Sequence, residues 1–562
     1  MAFESAPFAS TFSQTIFILF LGNFRLTGAN TDINYFIHGK IITSDMNKKK
    51  LFVFLFVIAI FVVSLLFRLR GLISINPPFW VDEIFTASQA NVILKYGLNV
   101  FNNSKVYFEY HNISSHFLVA LFFKILGQKE WVARLPFVII GSFVPVGVFI
   151  FSRYIFNLPT SILSSILISF AYIEIVWSRQ ARGYVLQQLL VLAAFYLYFK
   201  IIIYKKNPVW RYLLFTFVLI LGILTHTMFY LVIASLVIHY LIFNLSKIKS
   251  LLKSFYLYLF LILGILLVYF SGLGNTLLYF YNAKVFFTNN LWYYHSFLWR
   301  EYGLILFLAI IGLLIGFKNK FKETVLIFIY LIFHLLFLSF IFKPYVSRYL
   351  LPIFPLLFIL AGYALTNIQR LFYDRNHIVI AFFISLFFIA NGYKFVNRPK
   401  IFYSVNHDFR EIANIDYHQV YNLIKEKVTD KKSMVAIIET LPDRAQWYLG
   451  YDYEPLYLFR WTDEEGLVNG LQKRTVFFYN DAGEKTVTPN SSLRIIGNLS
   501  DLKKAINKYN KGFIFIDDAS LPQDVIKYVQ INLKKELYLD HYYLDDNPYS
   551  IWPATLYSWG FN

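Results

Sequence analysis

The chain has 562 residues, 57% of them apolar and 20% aromatic, with a mean hydropathy of +0.53; this excludes an ordinary soluble enzyme and reads as repeated membrane spans. The formal charge of +19 would suit a nucleic-acid binder, but residues 401–562 carry 18 Lys+Arg against 22 Asp+Glu, while the first 400 hold 34 against 11. The excess therefore belongs to the membrane part, where basic loops set orientation, and nucleic acid is set aside as a partner.

Residues 1–45 differ from the rest of the chain, because the apolar patch Thr15–Leu21 is too short to span. Met46-Asn47-Lys48-Lys49-Lys50, ahead of the apolar run from Leu51, has the form of a true start. We expect translation to begin at Met46 and residues 1–45 to be an extension outside the native protein. The first span lacks a small-residue cleavage site and reads as a retained anchor.

Eleven apolar segments succeed one another in order: 51–70, 132–151, 160–177, 184–203, 212–225, 227–245, 255–272, 303–317, 324–342, 350–366 and 377–393. With Lys48-Lys49-Lys50 inside, each inner loop is basic, at Arg153, Lys205-Lys206 with Arg211, Lys247 to Lys253, Lys318 to Lys322, and Arg370 with Arg375. His116–Gly127 is apolar but about 12 residues long, so it reads as a helix lying in the interface. The odd count places the end of the chain outside. The expectation is a multi-pass plasma-membrane protein with a cytoplasmic N-terminus, a membrane domain over 46–395 and an extracytoplasmic α/β domain over 396–562. In that last block Asp408–Asp430 reads as helix, Met434–Ile438, Thr475–Tyr479 and Gly512–Ile516 as strands, Pro522–Glu536 as helix, and aromatic strands close the chain.

Charge also gathers where the bias would not put it. Arg68, Arg70, Lys105, Arg134, Arg179, Arg182, Lys343 and Arg348 all fall on the outer face. Ionisable groups at the membrane boundary are costly and point to function, although Arg68, Lys105 and Arg134 also suit snorkelling or lipid headgroups. Arg179 and Arg182, three residues apart beside a span end, are expected on one helix face, forming a fork for phosphate. Asp82-Glu83 comes after Pro77-Pro78-Phe79-Trp80-Val81 in an apolar outer loop. A partly desolvated carboxylate there can serve as a general base. Glu174 sits within span three, where a structural ion pair is the commoner role. Glu109 and His111 precede the interfacial helix, and His226 falls in the turn between spans five and six. No His/Asp/Glu set has convincing metal-ligand spacing, so no metal is assigned, and no phosphate-binding glycine motif is present.

These residues resemble the GT-C glycosyltransferases, being similar to the protein O-mannosyltransferases and the lipid A aminoarabinose and galacturonic acid transferases. The matching features run in family order. They are Trp80-Val81-Asp82-Glu83 after span one; His111-Asn112-Ile113 through Leu118 and Gly127; and Glu130 to Arg134-Leu135-Pro136. Ser178-Arg179-Gln180-Ala181-Arg182-Gly183-Tyr184, Leu224-Thr225-His226 and Lys343-Pro344 to Ser347-Arg348-Tyr349-Leu350-Leu351-Pro352 complete them. Asn112-Ile113 stands where the family has prolines, and no second outer aspartate is obvious. The resemblance implies inverting transfer of a sugar from a polyprenyl-phosphate carrier to a hydroxyl acceptor, with membrane lipids as surroundings. In that scheme Asp82 and Glu83 are the catalytic acids, and Arg179, Arg182, Lys343 and Arg348 bind the donor phosphate. Glu109, His111, Glu174, Tyr184, His226 and Tyr349 line the substrate site. The rival reading is a flippase or exporter of lipid-linked glycans, which would more often carry charge along a central path.

Overall fold

In a computed structural model, the described residues are 39–70, 72–73, 78–101, 112–203, 208–245, 262, 265, 289–342, 346–371, 415–429, 434–440, 442–450, 452–458, 476–479, 485–488, 495–517, 521–539 and 554–561. Residues 1–56 separate as one unit, whose described portion is the first part of helix α1 (Gly39–Leu69), and residues 57–562 form a second. Lys48 and Lys50 are exposed on α1, and the apolar stretch Lys50–Leu69 is long enough to span.

Beyond α1, helix α2 (Val81–Tyr96) begins shortly after Pro78, and α3 (Ile113–Leu126) is a short apolar helix over most of the expected segment 116–127. A run of apolar helices comes next: α4 (Glu130–Ile155), α5 (Leu158–Ser169), α6 (Tyr172–Ser178), α7 (Tyr184–Tyr198), α8 (Val209–Thr225), α9 (Phe229–Phe243), α10 (Leu291–Asn319), α11 (Phe321–Leu336) and α12 (Phe354–Leu371). Among the described residues six helices, counting α1, are long and apolar enough to cross a membrane, or seven if the bent pair α5–α6 is one span. Nine of the eleven expected segments fall on described helices, two of them (212–225 and 227–245) on α8 and α9, which are apolar but shorter than the helices counted as long enough to span. Segment 255–272 lies almost wholly, and 377–393 wholly, outside the described residues.

The α5–α6 axis turns by 61° at Phe170–Ala171. The break leaves carbonyls at the end of α5 without helical partners, and Arg68 donates to one of them, Ser169 O, at 3.4 Å. Elsewhere small residues allow close contact, as membrane helix packing requires. A Cβ on Gly312 of α10 would sit 2.0 Å from Leu360 O of α12.

The C-terminal region holds helices α13 (Tyr417–Lys427), α14 (Pro442–Leu449), α15 (Leu499–Lys508) and α16 (Gln523–Asn532) around a six-stranded sheet. Its strands are β1 (Val435–Glu439), β2 (Tyr453–Leu458), β5 (Ile495–Ile496), β6 (Gly512–Ile516), β7 (Lys534–Leu539) and β8 (Ala554–Trp559), in the order β5-β2-β1-β6-β8-β7; β3 (Val476–Tyr479) and β4 (Lys485–Thr488) make a separate hairpin. The four strands β5-β2-β1-β6 run parallel, and β8 and β7 add antiparallel. The expected helix over Pro522–Glu536 is a correction. It ends at Asn532, Leu533 is extended, and Glu536 lies in β7, paired to β8 and accepting a hydrogen bond from Ser558 at 2.6 Å.

Candidate active site

The site begins with the way α2 starts. Trp80, extended (φ −86°, ψ 170°), is its N-cap, so Asp82 and Glu83 occupy the first turn, where the helix dipole favours anions. The expected loop is therefore a helix start, and successive helical residues point about 100° apart. The two acids consequently face different surroundings.

Glu83 points inward and is fully buried. Arg134 of α4 grips it with both arms, Nε to Oε1 at 2.8 Å and Nη2 to Oε2 at 2.7 Å, and Ala181 N–H donates to Oε1 at 2.7 Å. Arg134 also donates to Pro78 O at 3.2 Å and lies over the Phe79 ring at 5.1 Å. The snorkelling reading of Arg134 is thereby corrected: its guanidinium is spent inside the protein, binding α2 to α4 and to the turn at 181.

Asp82 stays at the edge, its side chain 25% exposed, with Arg348 Nη2 at 3.3 Å and Arg182 Nη2 at 3.8 Å from Oδ2. Arg182 Nη1 also donates to Thr86 Oγ1 at 3.1 Å and to Asp82 O at 3.4 Å. Arg348 comes from the short helical segment Ser347–Ile353 and lies over the rings of Trp80 (5.1 Å) and Tyr349 (5.5 Å). Three aromatic side chains adjoin these cations: Tyr184 lies 5.5 Å from His226 and 6.5 Å from Tyr349, and His226 lies 6.2 Å from Tyr349. His226 Nδ1 accepts from Met228 N–H at 3.2 Å, which closes the tight turn between α8 and α9.

One residue of the site was legible in the sequence only as a departure from the family pattern, without a role. Asn112, the N-cap of α3, takes φ +62° and ψ 26°, a left-handed conformation that asparagine tolerates and proline cannot adopt. With its amide oriented to suit its neighbours, the nitrogen donates to Thr225 O at 2.9 Å and the oxygen accepts from Arg182 Nη2 at 3.3 Å. Asn at the start of an apolar helix is the sequence signal that marks it. Gly183 supports the same junction, since a Cβ there would lie 2.7 Å from Ser115 Oγ and 3.0 Å from Thr225 Cγ2.

Other expected residues fall differently. α6 stops at Ser178, so Arg179 and Arg182 lie in a turn and not on one helix face. Arg182 reaches Asp82, whereas Arg179 is half-buried, its basicity lowered to about 10 by desolvation and then by the like charge of Arg134. Glu174 is buried in the first turn of α6 and accepts from Gln188 Nε2 at 2.7 Å, which also donates to Leu351 O at 2.7 Å. It ties α6 to α7 and the 347–353 segment. Glu109, His111, Lys105 and Lys343 lie outside the described residues. Among the described residues no three His, Asp or Glu side chains come together as a metal site.

Residues 111–272 match the family model described as dolichyl-phosphate-mannose-protein mannosyltransferase. No curated protein sequence matches the chain. The structure of ArnT from Cupriavidus metallidurans bound to undecaprenyl phosphate aligns with a TM-score of 0.56 at 12% identity, covering 90% of this chain and 98% of that one. The apo form of the same protein aligns at 0.55 and 13% identity, covering 91% and 98%. At such identities the likeness is one of fold, and it extends over nearly the whole chain. The chain thus shares the fold of this GT-C glycosyltransferase over nearly its whole length, and its residues 111–272 are similar to the mannosyltransferase family.

Proposed function

We propose that the chain transfers a sugar from a polyprenyl-monophosphate carrier to a hydroxyl acceptor at the outer face of the membrane. The observation that carries this reading is the partly exposed carboxylate of Asp82 set between Arg182 and Arg348. Undecaprenyl phosphate, bound in the ArnT structure, is a carrier of this class.

The chemistry depends on which partner the arginines prefer. Before the donor binds, the two guanidiniums share Asp82. A phosphate ester offers them more oxygens and suits their planar forks, so a bound donor draws them away and leaves the carboxylate able to accept a proton. Asp82 then takes the proton of the acceptor hydroxyl as that oxygen attacks the anomeric carbon. The bond from this carbon to the phosphate oxygen breaks on the opposite face, which inverts the configuration. The polyprenyl phosphate leaves with its negative charge against Arg182 and Arg348, assisted by Arg179 and Lys343. Stabilising a leaving group in this way is worth about 3 kcal/mol per well-placed donor. Glu83 holds the helix that presents Asp82; Tyr184, His226 and Tyr349 offer ring faces to a sugar, with Glu109 and His111 as further substrate contacts and Glu174 bracing the floor.

The test is a purified-protein assay with a panel of radiolabelled polyprenyl-phosphate sugars. Asp82→Asn should lower turnover by about 10² to 10⁴, the range of a general base. Full activity in that variant removes Asp82 as the base. Lipid translocation in liposomes with no turnover of any donor would favour the flippase.

A further inference from the structure

The C-terminal sheet meets the membrane part through α14, and it does so close to Asp82. Helix α14 comes directly after β1, at the carboxyl end of the parallel strands β1 and β6. Arg444 clamps it there: buried, it donates from Nε to Glu439 at 2.9 Å and from Nη2 to Asp517 at 3.0 Å, with the Tyr417 ring 3.9 Å away. Glu439 also accepts from Tyr421 OH at 2.6 Å and from Ala445 N–H at 2.8 Å. The start of α14 is thus tied to two strand ends and to α13.

Its far end touches the loop before α2. The Trp447 ring lies 5.2 Å from Phe79 and 5.9 Å from Phe123 of α3. Phe79 N–H donates to Tyr448 OH at 3.0 Å. Phe79 is fully buried and precedes the N-cap, so its N–H has no carbonyl within the helix to bond. Tyr448 stacks on Tyr421 at 4.9 Å with planes 13° apart. Burial, with the Glu130 carboxylate beside it, pushes the phenol well above its usual range, so it keeps its proton. His418 of α13 adds a second tie to Glu130 at 2.6 Å.

We propose that Tyr448 and Trp447 are positioning residues for Asp82, so that the α/β region completes the catalytic site. The importance of Asp82 rests on the reading given under Proposed function; the mechanical link does not. Trp80 O accepts from Glu83 N–H and Ile84 N–H at 3.0 and 3.2 Å, and the Trp80 ring carries Arg348. A shift at Phe79 therefore moves Trp80, and with it both the acid and the cation facing it.

The test uses the full-length protein. Tyr448→Phe removes one oxygen and keeps the stack on Tyr421, so the chain remains folded. Amide hydrogen exchange over residues 79–84 should rise about tenfold, the effect of one hydrogen bond lost from a buried amide. Trp447→Ala should raise it further, and Trp447→Phe should restore most of the protection. Turnover of the polyprenyl-phosphate sugar should fall about tenfold in Tyr448→Phe while the donor KM stays within about twofold, the pattern of a misplaced reacting group. Unchanged exchange over 79–84 overturns the proposal, as does raised exchange with unchanged kcat. If the wild type turns over no donor, the functional reading fails, and the exchange result alone decides whether Tyr448 holds this turn.

Discussion

At the scale of single residues, the two adjacent acids at 82 and 83 have opposite tasks, and their costs of removal should differ accordingly. Asp82 is partly exposed and its pairs lie at 3.3 and 3.8 Å, so neutralising it should change stability by about 1 kcal/mol or less. Glu83 is buried and gripped by both arms of Arg134, and Glu83→Gln takes away the carboxylate bonded to that guanidinium, leaving it only the more distant Glu130 charge. Removing one partner of a buried pair costs about 3–5 kcal/mol, whereas replacing both with apolar groups is often neutral. Thermal unfolding in detergent should therefore show a large drop for Glu83→Gln, and much of it should return in Glu83→Met with Arg134→Met. Equal melting of Asp82→Asn and Glu83→Gln would refute the division of labour. Asn112 gives a second prediction. Asn112→Gly keeps the left-handed backbone and deletes only the amide that meets Arg182 and Thr225. Turnover should fall about tenfold, the worth of one hydrogen bond to a charged group, with the melting temperature little changed; an unaltered rate would show that Arg182 needs no such support.

At the scale of elements, what the sequence made legible and what it hid have physical reasons. The apolar runs were readable because spans and buried parallel strands each demand unbroken apolar stretches; β6 coincides with its expected run, Gly512–Ile516. Helix α2 was hidden because Pro77-Pro78 reads as a stop, whereas prolines just before a helix also permit a start. Missing α2 meant that the differing directions of Asp82 and Glu83 were missed as well. The α5–α6 bend has neither proline nor glycine at Phe170–Ala171, so nothing local announces it, and the end of α6 at Ser178 undid the one-face reading of Arg179 and Arg182. The run Lys534-Lys535-Glu536-Leu537 suits a helix as well as an edge strand, and only pairing with β8 decides between them. Close approach between helices was equally invisible. Gly312 faces the backbone of α12, with Leu360 O 2.0 Å from where its Cβ would be, so Gly312→Ala should force α10 and α12 apart. We expect a loss of about 1–3 kcal/mol, read as a lower unfolding temperature, and an unchanged temperature would mean the two helices slide freely.

At the scale of the whole molecule, sidedness connects the charge pattern to the proposed chemistry. Asp82, Arg182, His226 and Arg348 come from α2, the start of α7, the α8–α9 turn and the segment before α12, and the structure brings these helix ends into one neighbourhood. The opposite ends also meet: His239, near the end of α9, has Nε2 2.8 Å from Lys322 O at the start of α11. Lys318, Lys320 and Lys322 therefore mark the other end of the bundle from Asp82. The proposed orientation, drawn from the positive-inside rule, has that basic end in the cytoplasm and the acid, the arginines and the docked sheet outside. The chain contains no cysteine, so single cysteines can report this directly with a membrane-impermeant maleimide. Lys504→Cys, on the exposed face of α15, should label in intact cells, and Lys318→Cys, exposed at the end of α10, only after permeabilisation. The reverse pattern would place the site on the cytoplasmic side and remove the outer-face acceptor. Labelling of both positions in intact cells would break the link between His239 and Lys322 and with it the common sidedness of the site. The expected pattern would leave a phosphate-binding site facing the lipid headgroups of the outer leaflet, the only leaflet from which a carrier could then reach Arg182 and Arg348 without crossing the bundle.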